Sequence, residues 1–306
     1  MIVVCGEALI DLIDNGDGTQ RPTPGGGPFN TARALARLGV PTAFLGRLST
    51  DALGRELADL LVADGASISL ASCGPEPTTI AVAAVDGDGL AEYQFVVEGT
   101  SAPNLTSSML PESLPEEVDS IHLGSLGLAL EPMASTLVEL VGRESGRRLV
   151  MLDPNVRPGL ISDHEYRDRL EAVIPLSTIV KASVADLDWL YGGLGYEVAA
   201  ERMLDGGVRL VLVTLGAEGA FGATADLRIR VQAPRVEVVD TIGAGDVFGA
   251  AVLARLYESD RLRPELKLDA DELRTLLGFA CEAAAIVCKR VGAEPPWRSE
   301  LGAGAG

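Results

Sequence analysis

The sequence is poor in cysteine, histidine and basic residues. It contains four cysteines and two histidines in 306 residues, with no Cys-x-x-Cys pair, which argues against a disulfide scaffold or a cysteine-based metal site. Its 25 lysines and arginines are outnumbered by 44 aspartates and glutamates, which gives a net charge of −19. Because nucleic-acid affinity comes largely from basic side chains that displace counterions, we expect no DNA or RNA partner.

Long hydrophobic runs are also missing. No stretch approaches about 18 uncharged apolar residues, the length that spans a membrane. The first apolar run, 2–5, is too short for a signal peptide. We therefore expect a soluble, cytoplasmic protein with no membrane partner. The chain is 47% hydrophobic and 23% charged, a composition typical of globular proteins that bury a large core.

Short apolar, β-rich runs alternate with segments of helical period. The strand-like runs are 2–5, 42–45, 120–123, 148–152, 178–180 and 208–214, and the helical segments are 51–64, 132–141, 165–174 and 198–204. Strands that are apolar throughout and separated by helices are typical of a parallel sheet. The pattern predicts a single α/β domain over 1–306, with a doubly wound, mostly parallel sheet flanked by helices.

Two segments interrupt this alternation. Residues 12–24 are rich in turn formers, and 76–99 contain two β-rich runs separated by Asp-Gly-Asp-Gly, a β-hairpin pattern. We interpret them as a small β lid over a site, and the alternative is an edge hairpin that extends the main sheet. Tyr93 and Phe95 would cover a substrate on such a lid, although a dimer or core contact fits equally well. Residues 301–306 (LGAGAG) are predicted to be a disordered tail.

The segment 238–246 (VVDTIGAGD) leads directly into a helical run at 247–253. The pattern predicts a strand end, a glycine loop and a helix start. Gly243 and Gly245 would let backbone amides approach an anion at the positive end of the helix. Asp246 would lie beside that anion hole, where a carboxylate can accept a proton from a hydroxyl. Taken alone, the motif favours a tight turn and an acid that stabilises the helix dipole.

Other nucleotide-binding motifs do not fit. Phe248 occupies the third glycine position of a dinucleotide fingerprint, and the sequence contains no G-x-x-x-x-G-K-[ST] loop.

Near the N-terminus, 25–30 (GGGPFN) opens a predicted helix at 31–38. Asn30 could bond vicinal sugar hydroxyls or cap that helix. Asp11 could likewise bind two hydroxyls or be an ordinary turn acid.

Taken together, these motifs resemble the ribokinase-like carbohydrate kinases of the phosphofructokinase-B type. The resemblance spans nearly the whole chain, and its motifs are Gly6-Glu7 with Asp11, Gly26-Gly27 with Asn30, Gly46 with Asp51 and Gly54, 153–157 (DPNVR), Thr214 with Gly216 and Gly219, and 240–246. The fructokinase branch is the most similar, judging by 6–11 (GEALID), 122–126 (HLGSL) and Glu131-Pro132.

The resemblance implies a sheet of about nine strands with a β lid, and transfer of the γ-phosphate of Mg-ATP to a sugar hydroxyl. Fructose is the expected substrate, with ribose, 2-keto-3-deoxygluconate or a nucleoside as alternatives. The implied catalytic residues are Asp246, Gly243, Ala244 and Gly245. The implied substrate-binding residues are Asp11, Gly26, Gly27, Asn30 and Arg157. The implied nucleotide-binding residues are Asn155, Ser183, Thr214, Gly216, Gly219 and Thr241.

Two positions depart from the family pattern. The Asn-x-x-Glu associated with Mg²⁺ is replaced by Ser183-x-x-Asp186, which leaves Asp186 as the candidate metal ligand. Cys281 stands where many relatives have an asparagine near the adenine, which weakens the expectation of ATP over another nucleotide. By resemblance alone, a monovalent cation such as K⁺ could bind near Asp240 and the 292–293 turn.

Three further expectations concern assembly, function class and the histidines. An exposed lid edge could pair two subunits into a homodimer. A noncatalytic sugar or nucleotide sensor on the same fold is the alternative from another class, and the intact Asp246 argues against it. His122, inside an apolar run, is expected to be a satisfied core residue, and His164 is assigned no role.

Overall fold

Strands and helices alternate along the chain in the computed structural model, which describes residues 1–14, 19–85, 91–157 and 162–302. The strands are β1 (Ile2–Cys5), β2 (Leu9–Asp14), β3 (Gln20–Gly25), β4 (Thr42–Leu45), β5 (Arg47–Ser49), β6 (Ser72–Gly74), β7 (Ile80–Val85), β8 (Ala91–Val96), β9 (Ser120–Gly124), β10 (Leu149–Asp153), β11 (Ile179–Ser183), β12 (Leu210–Thr214), β13 (Ala220–Ala223) and β14 (Arg228–Val231). The helices are α1 (Gly27–Arg37), α2 (Ala52–Ala63), α3 (Met133–Glu144), α4 (Asp163–Val173), α5 (Val184–Tyr191), α6 (Tyr196–Asp205), α7 (Ala244–Glu258) and α8 (Ala270–Val287).

Eight strands form the main sheet, in the order β14-β13-β12-β11-β10-β9-β1-β4. The strands from β12 to β4 are parallel, and β13 and β14 add an antiparallel edge. The predicted α/β class with a mostly parallel sheet is therefore confirmed, although the described residues give this sheet eight strands rather than about nine. Because parallel strands run the same way, their carboxyl ends meet at one edge of the sheet, where ligands bind in such folds.

The main sheet is buried on both faces, as the continuous apolar runs predicted. In β1, Ile2 and Val4 belong to a core shared with α1, α2, α7 and α8, whereas Val3 and Cys5 belong to a second core shared with α3 to α6. Each of these four side chains is at most 1% exposed. A strand with helices on both sides needs apolar side chains at every position, so it shows no alternation of polar and apolar residues.

The two segments that interrupt the alternation pair with each other in a separate sheet of order β3-β2-β7-β8. β2 is antiparallel to β3 and parallel to β7, and β7 is antiparallel to β8. The alternative that the hairpin extends the main sheet is therefore wrong. Since β2 begins shortly after β1 ends, the small sheet is attached at the carboxyl edge of the main sheet. The predicted turn at 86–89 and the side chain of Tyr93 lie outside the described residues.

Three local predictions are wrong. No strand precedes the glycine loop within 232–240, where the chain is held instead by Val239 N donating to Cys288 O at 2.8 Å. Helix α1 begins at Gly27 rather than at 31, because a proline in the first turn needs no N–H partner. Leu301 is 5% exposed within the core, so the folded chain continues past the predicted start of the tail. Residues 303–306 lie outside the described part.

None of the helices in the described residues has the length and apolar character needed to cross a bilayer. The longest is α8, which runs from Ala270 to Val287. It packs against α7 and carries charged residues in its first turn, Asp271 and Glu272. Its apolar residues are therefore accounted for by the protein core.

Asp51 connects helix α2 to the start of the small sheet. Its Oδ1 accepts hydrogen bonds from Gly54 N at 2.7 Å, as a helix N-cap, and from Thr78 Oγ1 at 2.6 Å. Its Oδ2 accepts one from Thr78 N at 2.8 Å. Burial alone would raise the pKa of Asp51, but these hydrogen bonds outweigh burial and bring the pKa to about 2. The charged carboxylate is thus the form that holds the two elements together.

Replacing Asp51 by alanine should lower the free energy of unfolding by about 1–2 kcal/mol at neutral pH, the usual cost of losing a helix cap. Urea unfolding measures the difference, and Asp59→Ala on the exposed face of the same helix is the control. Because the folded pKa lies below the unfolded value of about 3.9, the difference between wild type and Asp51→Ala should shrink as the pH falls from about 4 towards 2. Equal losses in the two variants would contradict this role.

Candidate active site

The carboxyl ends of the parallel strands carry several residues of the site, some of them predicted from the sequence. Glu7 follows β1, Ser125 follows β9, Asn155 follows β10, and Gly216 follows β12. The chain turns sharply at two of these ends, since Ser125 and Asn155 have φ of 54° and 39°. Non-glycine residues rarely adopt such angles, and they concentrate at functional sites where the surrounding structure holds them. Two neighbouring cavities open at this edge.

The first cavity has a volume of about 320 Å³ and a largely polar lining. Its lining residues are Glu7, Leu9, Asp11, Gly26, Gly27, Asn30, Phe95, Ser125, Leu126, Asn155, Arg157, Lys181, Thr241, Ile242, Gly243, Gly245 and Asp246. It therefore brings together every residue predicted to bind the substrate, together with Asp246. Phe95 of β8 lies in this lining, as the interpretation of the hairpin as a cover required. Its size and polarity suit a small polyhydroxylated molecule.

The second cavity has a volume of about 570 Å³ and a mainly apolar lining. Its lining residues are Thr214, Gly216, Ala217, Gly219, Ala233, Pro234, Arg235, Val236, Val238, Thr241, Ala244, Gly245, Phe248, Cys281, Ala284, Ala285 and Cys288. Thr214, Gly216 and Gly219 are thus gathered on this side, while Ser183 lines neither cavity. Thr241 and Gly245 line both cavities, so the glycine loop is the boundary between them.

Asp246 lies in the first turn of α7, and its Oδ2 accepts a hydrogen bond from Asn30 Nδ2 at 2.8 Å. The suggestion that Asn30 caps α1 is therefore wrong, and the N-cap residue is Gly26, with φ of 104°. Burial raises the pKa of Asp246, although Asn30, Lys181 and Arg157 each oppose the rise. A desolvated carboxylate with a raised pKa accepts a proton from a hydroxyl more readily than one in water.

The conformation of the glycine loop requires glycine at position 243. Gly243 is the N-cap of α7, with φ of 77°, a conformation that glycine adopts without steric cost. A side chain here would also meet the 292–293 turn, because a Cβ on Gly243 would lie 2.9 Å from Ala293 Cα. The first amides of α7 have no partner within the helix, and Gly245 lines both cavities, so this helix start is suited to bind an anion at the boundary.

Sequence analysis missed a buried cation beneath this loop. Lys181 of β11 is 4% exposed, and its Nζ donates to Asp153 Oδ2 at 2.7 Å. A Cβ on Gly245 would lie 2.9 Å from the same Nζ. Burial alone would lower the pKa of Lys181, but the carboxylates of Asp153, Asp186 and Asp246 together outweigh burial and raise it. The only signal in the sequence was a single lysine directly after the strand-like run 178–180.

Glu7 is a second group whose role the sequence did not reveal. Its side chain is 1% exposed, and its Oε2 accepts a hydrogen bond from Gly127 N at 3.1 Å. Burial raises the pKa of Glu7 to about 8, against the opposing effect of hydrogen bonds. Glu7 is therefore mostly protonated at neutral pH and can donate a hydrogen bond at the end of β1.

Asp11 and Arg157 lie in the lining of the first cavity, on the small sheet and after β10 respectively. Burial raises the pKa of Asp11 to about 6, while the positive charge of Arg157 opposes the rise. At neutral pH, Asp11 is mainly a carboxylate with a guanidinium nearby. A carboxylate and a guanidinium together offer acceptors and donors to neighbouring hydroxyls, which suits a sugar.

Ser183 and Asp186 form the N-terminal cap of α5. Ser183 Oγ accepts from Asp186 N at 3.1 Å, and Asp186 Oδ2 accepts from Ser183 N at 2.7 Å. Asp186 Oδ1 accepts from Val156 N at 2.8 Å. Within the described residues, no group of three or more histidine, cysteine, aspartate or glutamate side chains is arranged to hold a metal ion. The metal role of Asp186 therefore stays a prediction beside its observed role as a cap.

Comparison with characterised sequences gives similarity over nearly the whole chain. A fructokinase from Rhizobium leguminosarum bv. trifolii is 40% identical over 281 residues, which cover 90% of this chain and 86% of the relative. Fructokinase-1 from Oryza sativa subsp. japonica is 32% identical over 316 residues, with 98% and 95% of the two chains covered.

Similarity to solved structures also extends over nearly the whole chain. A fructokinase from Vibrio cholerae O395 with fructose, ADP and calcium superposes with a TM-score of 0.85 at 28% identity, over 95% of this chain and 94% of the other. Aminoimidazole riboside kinase from Salmonella enterica gives 0.86 at 25% identity, over 98% of both chains. These likenesses confirm the ribokinase-like fold. With the profile of the pfkB family of carbohydrate kinases also matching residues 1–300, the chain belongs to that family.

Proposed function

We propose that the protein is a fructokinase that transfers the γ-phosphate of Mg-ATP to a hydroxyl of fructose. The observation that carries the proposal is the position of Asp246 and the glycine loop between a polar cavity and an apolar one. A sugar in the first cavity and a nucleotide in the second would meet at Gly245. The fructokinase from Vibrio cholerae O395, solved with fructose and ADP, supports this assignment of ligands.

Each group at the boundary has a chemical role in this reaction. Asp246 accepts the proton of the sugar hydroxyl, whose oxygen forms a bond to the γ-phosphorus. The bond from that phosphorus to the bridging oxygen of ADP breaks, and ADP leaves with the electron pair. Amides of the 243–245 loop and the Lys181 ammonium stabilise the negative charge on the phosphoryl group in flight. Ala244 lines the nucleotide cavity, and its amide donates to Thr241 O at 3.3 Å.

The proposed requirement for Mg²⁺ follows from the chemistry of ATP, the phosphate donor. Both oxygens of Asp186 already accept hydrogen bonds from protein donors. The residues present therefore fit a Mg²⁺ ion that arrives on the triphosphate and is held mainly by its phosphates. Magnesium is commonly held by phosphates and water with few protein ligands, and it would neutralise phosphate charge. The bond from Val156 N to Asp186 joins the Ser183–Asp186 cap to the loop that carries Asn155. This contact holds that part of the site in position.

A monovalent cation site near Asp240 remains part of the proposal. Asp240 Oδ1 accepts from Ile242 N at 3.0 Å, and Oδ2 accepts from Gly292 N at 2.8 Å. These bonds tie the start of the anion-hole loop to the 292–293 turn. A double-mutant form of the Vibrio cholerae O395 fructokinase has been solved with potassium, fructose and ADP. A cation held here would order the loop that receives the phosphate.

The small sheet is proposed to be the lid of the sugar cavity. It contributes Leu9 and Asp11 from β2 and Phe95 from β8 to the lining. Closure of such a cover excludes water, so that the sugar rather than solvent receives the phosphate. Its edge strands, β3 and β8, are where a homodimer would form. Use of ATP favours the cytoplasm as the site of action.

A second candidate substrate is a riboside. The likeness to aminoimidazole riboside kinase, with a TM-score of 0.86, favours it specifically.

Release of ADP should be compared for fructose, ribose, 2-keto-3-deoxygluconate, glucose and adenosine. Fructose should give the largest kcat/KM. Turnover with a riboside alone would replace fructose in the proposal, and ligand binding with no turnover for any of them would favour a sensor.

Asp246→Asn should lower kcat with fructose by at least about 100-fold, because the amide cannot accept the proton. The KM for fructose should stay within about three-fold, since an amide of the same shape still fits beside Asn30. A coupled assay of ADP formation measures both constants. Asp226→Asn, in an exposed turn, is the matched control. A variant at 246 with normal kcat would exclude Asp246 as the base.

Asp11→Asn should raise the KM for fructose by about ten-fold or more and leave the KM for ATP unchanged. The physical reason is that an amide keeps the shape of the side chain but loses a charged acceptor for sugar hydroxyls. Initial rates with each substrate varied at saturation of the other give the two constants. An equal rise in both would show that the change acts on the fold rather than on the sugar.

Ala284→Phe should raise the KM for ATP by about ten-fold or more, because the ring would fill part of the apolar cavity. The KM for fructose should change little. Ala284→Ser, which adds a single oxygen at the same position, is the control and should stay near wild type. An unchanged KM for ATP in the phenylalanine variant would argue that the nucleotide base binds elsewhere.

A further inference from the structure

A third, very small cavity lies behind the catalytic aspartate. It has a volume of about 10 Å³, and the residues that line it include His122, Ser125, Asp153, Asn155 and Asp246. A space of this size accommodates about one water molecule, and water occupies such a space when it finds two to four polar partners. The lining is polar on several sides, so the site meets both conditions.

Two buried polar atoms at this cavity have no hydrogen-bond partner among the described residues. They are His122 Nδ1 and Asp153 Oδ1, in side chains that are 3% and 4% exposed. The other Asp153 oxygen is occupied by Lys181. Buried polar groups in native proteins are nearly always hydrogen-bonded, to protein or to ordered water. Both unpartnered atoms belong to residues that line the same cavity, so a single molecule can satisfy them.

The catalytic base borders the same space. Asn30 donates to Asp246 Oδ2, which leaves Oδ1 as the oxygen turned towards Gly27. A Cβ on Gly27 would lie 3.3 Å from both Asp246 Oδ1 and Asn155 Nδ2. The residues that line the cavity therefore supply two carboxylates, one amide and one imidazole.

The charge of His122 decides how a water molecule can sit there. Burial, together with the smaller effect of the Lys181 charge, lowers the pKa of His122 to about 3. A neutral imidazole donates from only one of its nitrogens. A water molecule that gives its two hydrogens to Asp153 Oδ1 and Asp246 Oδ1 needs donors for its own oxygen. His122 can supply one from Nδ1, provided that Nδ1 carries the proton, and Asn155 Nδ2 can supply the other.

We propose that this cavity binds one water molecule, which accepts a hydrogen bond from His122 Nδ1 and donates to Asp153 Oδ1 and Asp246 Oδ1. The inference rests on the proposed role of Asp246 as the base. His122 is then a positioning residue. Through the water it fixes one oxygen of the Asp246 carboxylate, while Asn30 fixes the other. The water also connects Asp246 to the Asp153–Lys181 ion pair beneath the anion hole.

The protonated nitrogen of His122 can be read directly in the wild-type protein. The chain has only two histidines, so ¹⁵N-histidine labelling gives two sets of ring signals, and His164→Gln assigns them because that side chain is 85% exposed on the surface. His122 should be neutral with its proton on Nδ1 from about pH 5 to pH 9. A proton on Nε2 instead would leave Nδ1 unable to donate and would overturn the proposal.

Two substitutions test the effect on the base. His122→Asn keeps an N–H near the position of Nδ1, whereas His122→Leu removes it at similar volume. The leucine variant should lose about ten-fold or more in kcat with fructose, with KM within about two-fold, and the asparagine variant should stay within about three-fold of wild type. If His122 served only to pack the core, leucine would match or exceed asparagine, and the proposal would fail.

This design separates the two proposals. Wild-type protein without sugar-dependent ADP release would contradict the fructokinase function, while the tautomer of His122 would still decide whether the water site has the proposed donor. An active wild type and an inactive Asp246→Asn, combined with a fully active His122→Leu, would leave the kinase function intact and remove the positioning role. Urea unfolding of both His122 variants provides the check on folding.

Discussion

The hydrogen bond from Asn30 to Asp246 joins the first turns of two helices that begin far apart in the sequence. Helices α1 and α7 pack side by side, and each starts directly after a glycine with positive φ. Their N-terminal amides therefore point to the same place at the carboxyl edge of the sheet, where both helix dipoles favour negative charge. The sugar cavity, the anion hole and the base all take their positions from this pair of helix starts.

The chain is strongly acidic, and it binds ATP, an anionic phosphate donor, through local structure rather than through its net charge. The net charge of −19 is a sum over the whole chain, whereas the site contains backbone amides and the cations of Lys181 and Arg157. Buried acids around it are kept from adding negative charge: Glu7 is mostly protonated because burial raises its pKa to about 8. Asp153 is neutralised by its ion pair with Lys181. Charge in this protein is decided group by group, by burial and contact.

Sequence reasoning succeeded where local chemistry dictates local structure. β1 and β4 have the predicted bounds, because four consecutive apolar β-formers have no alternative to a buried strand. The glycine loops before α1 and α7 were found because glycine spacing and a following helical run are visible in the residues. Each predicted substrate-binding residue lies in one cavity because β2 of the small sheet, the start of α1 and the loop after β10 meet at the carboxyl edge of the main sheet.

The groups that were missed depend on contacts between distant strands. Lys181 and Asp153 pair across β10 and β11, and no spacing in the sequence announces that meeting. His122 was expected to be a satisfied core residue, yet its Nδ1 has no partner among the described residues, and the residue lines a polar cavity between β9, β10 and the starts of α1 and α7. The direction of Asn30 was ambiguous for the same reason, since helix cap and partner of Asp246 differ only in tertiary packing.

A crystal structure with fructose and a nonhydrolysable ATP analogue tests the central claim most directly, because it locates both ligands relative to the boundary loop. The account predicts a sugar hydroxyl within about 3.2 Å of the Asp246 carboxylate, and the terminal phosphate against the amides of 243–245, on the opposite side of Gly245. A sugar hydroxyl remote from Asp246, or a phosphate that does not reach these amides, would contradict it.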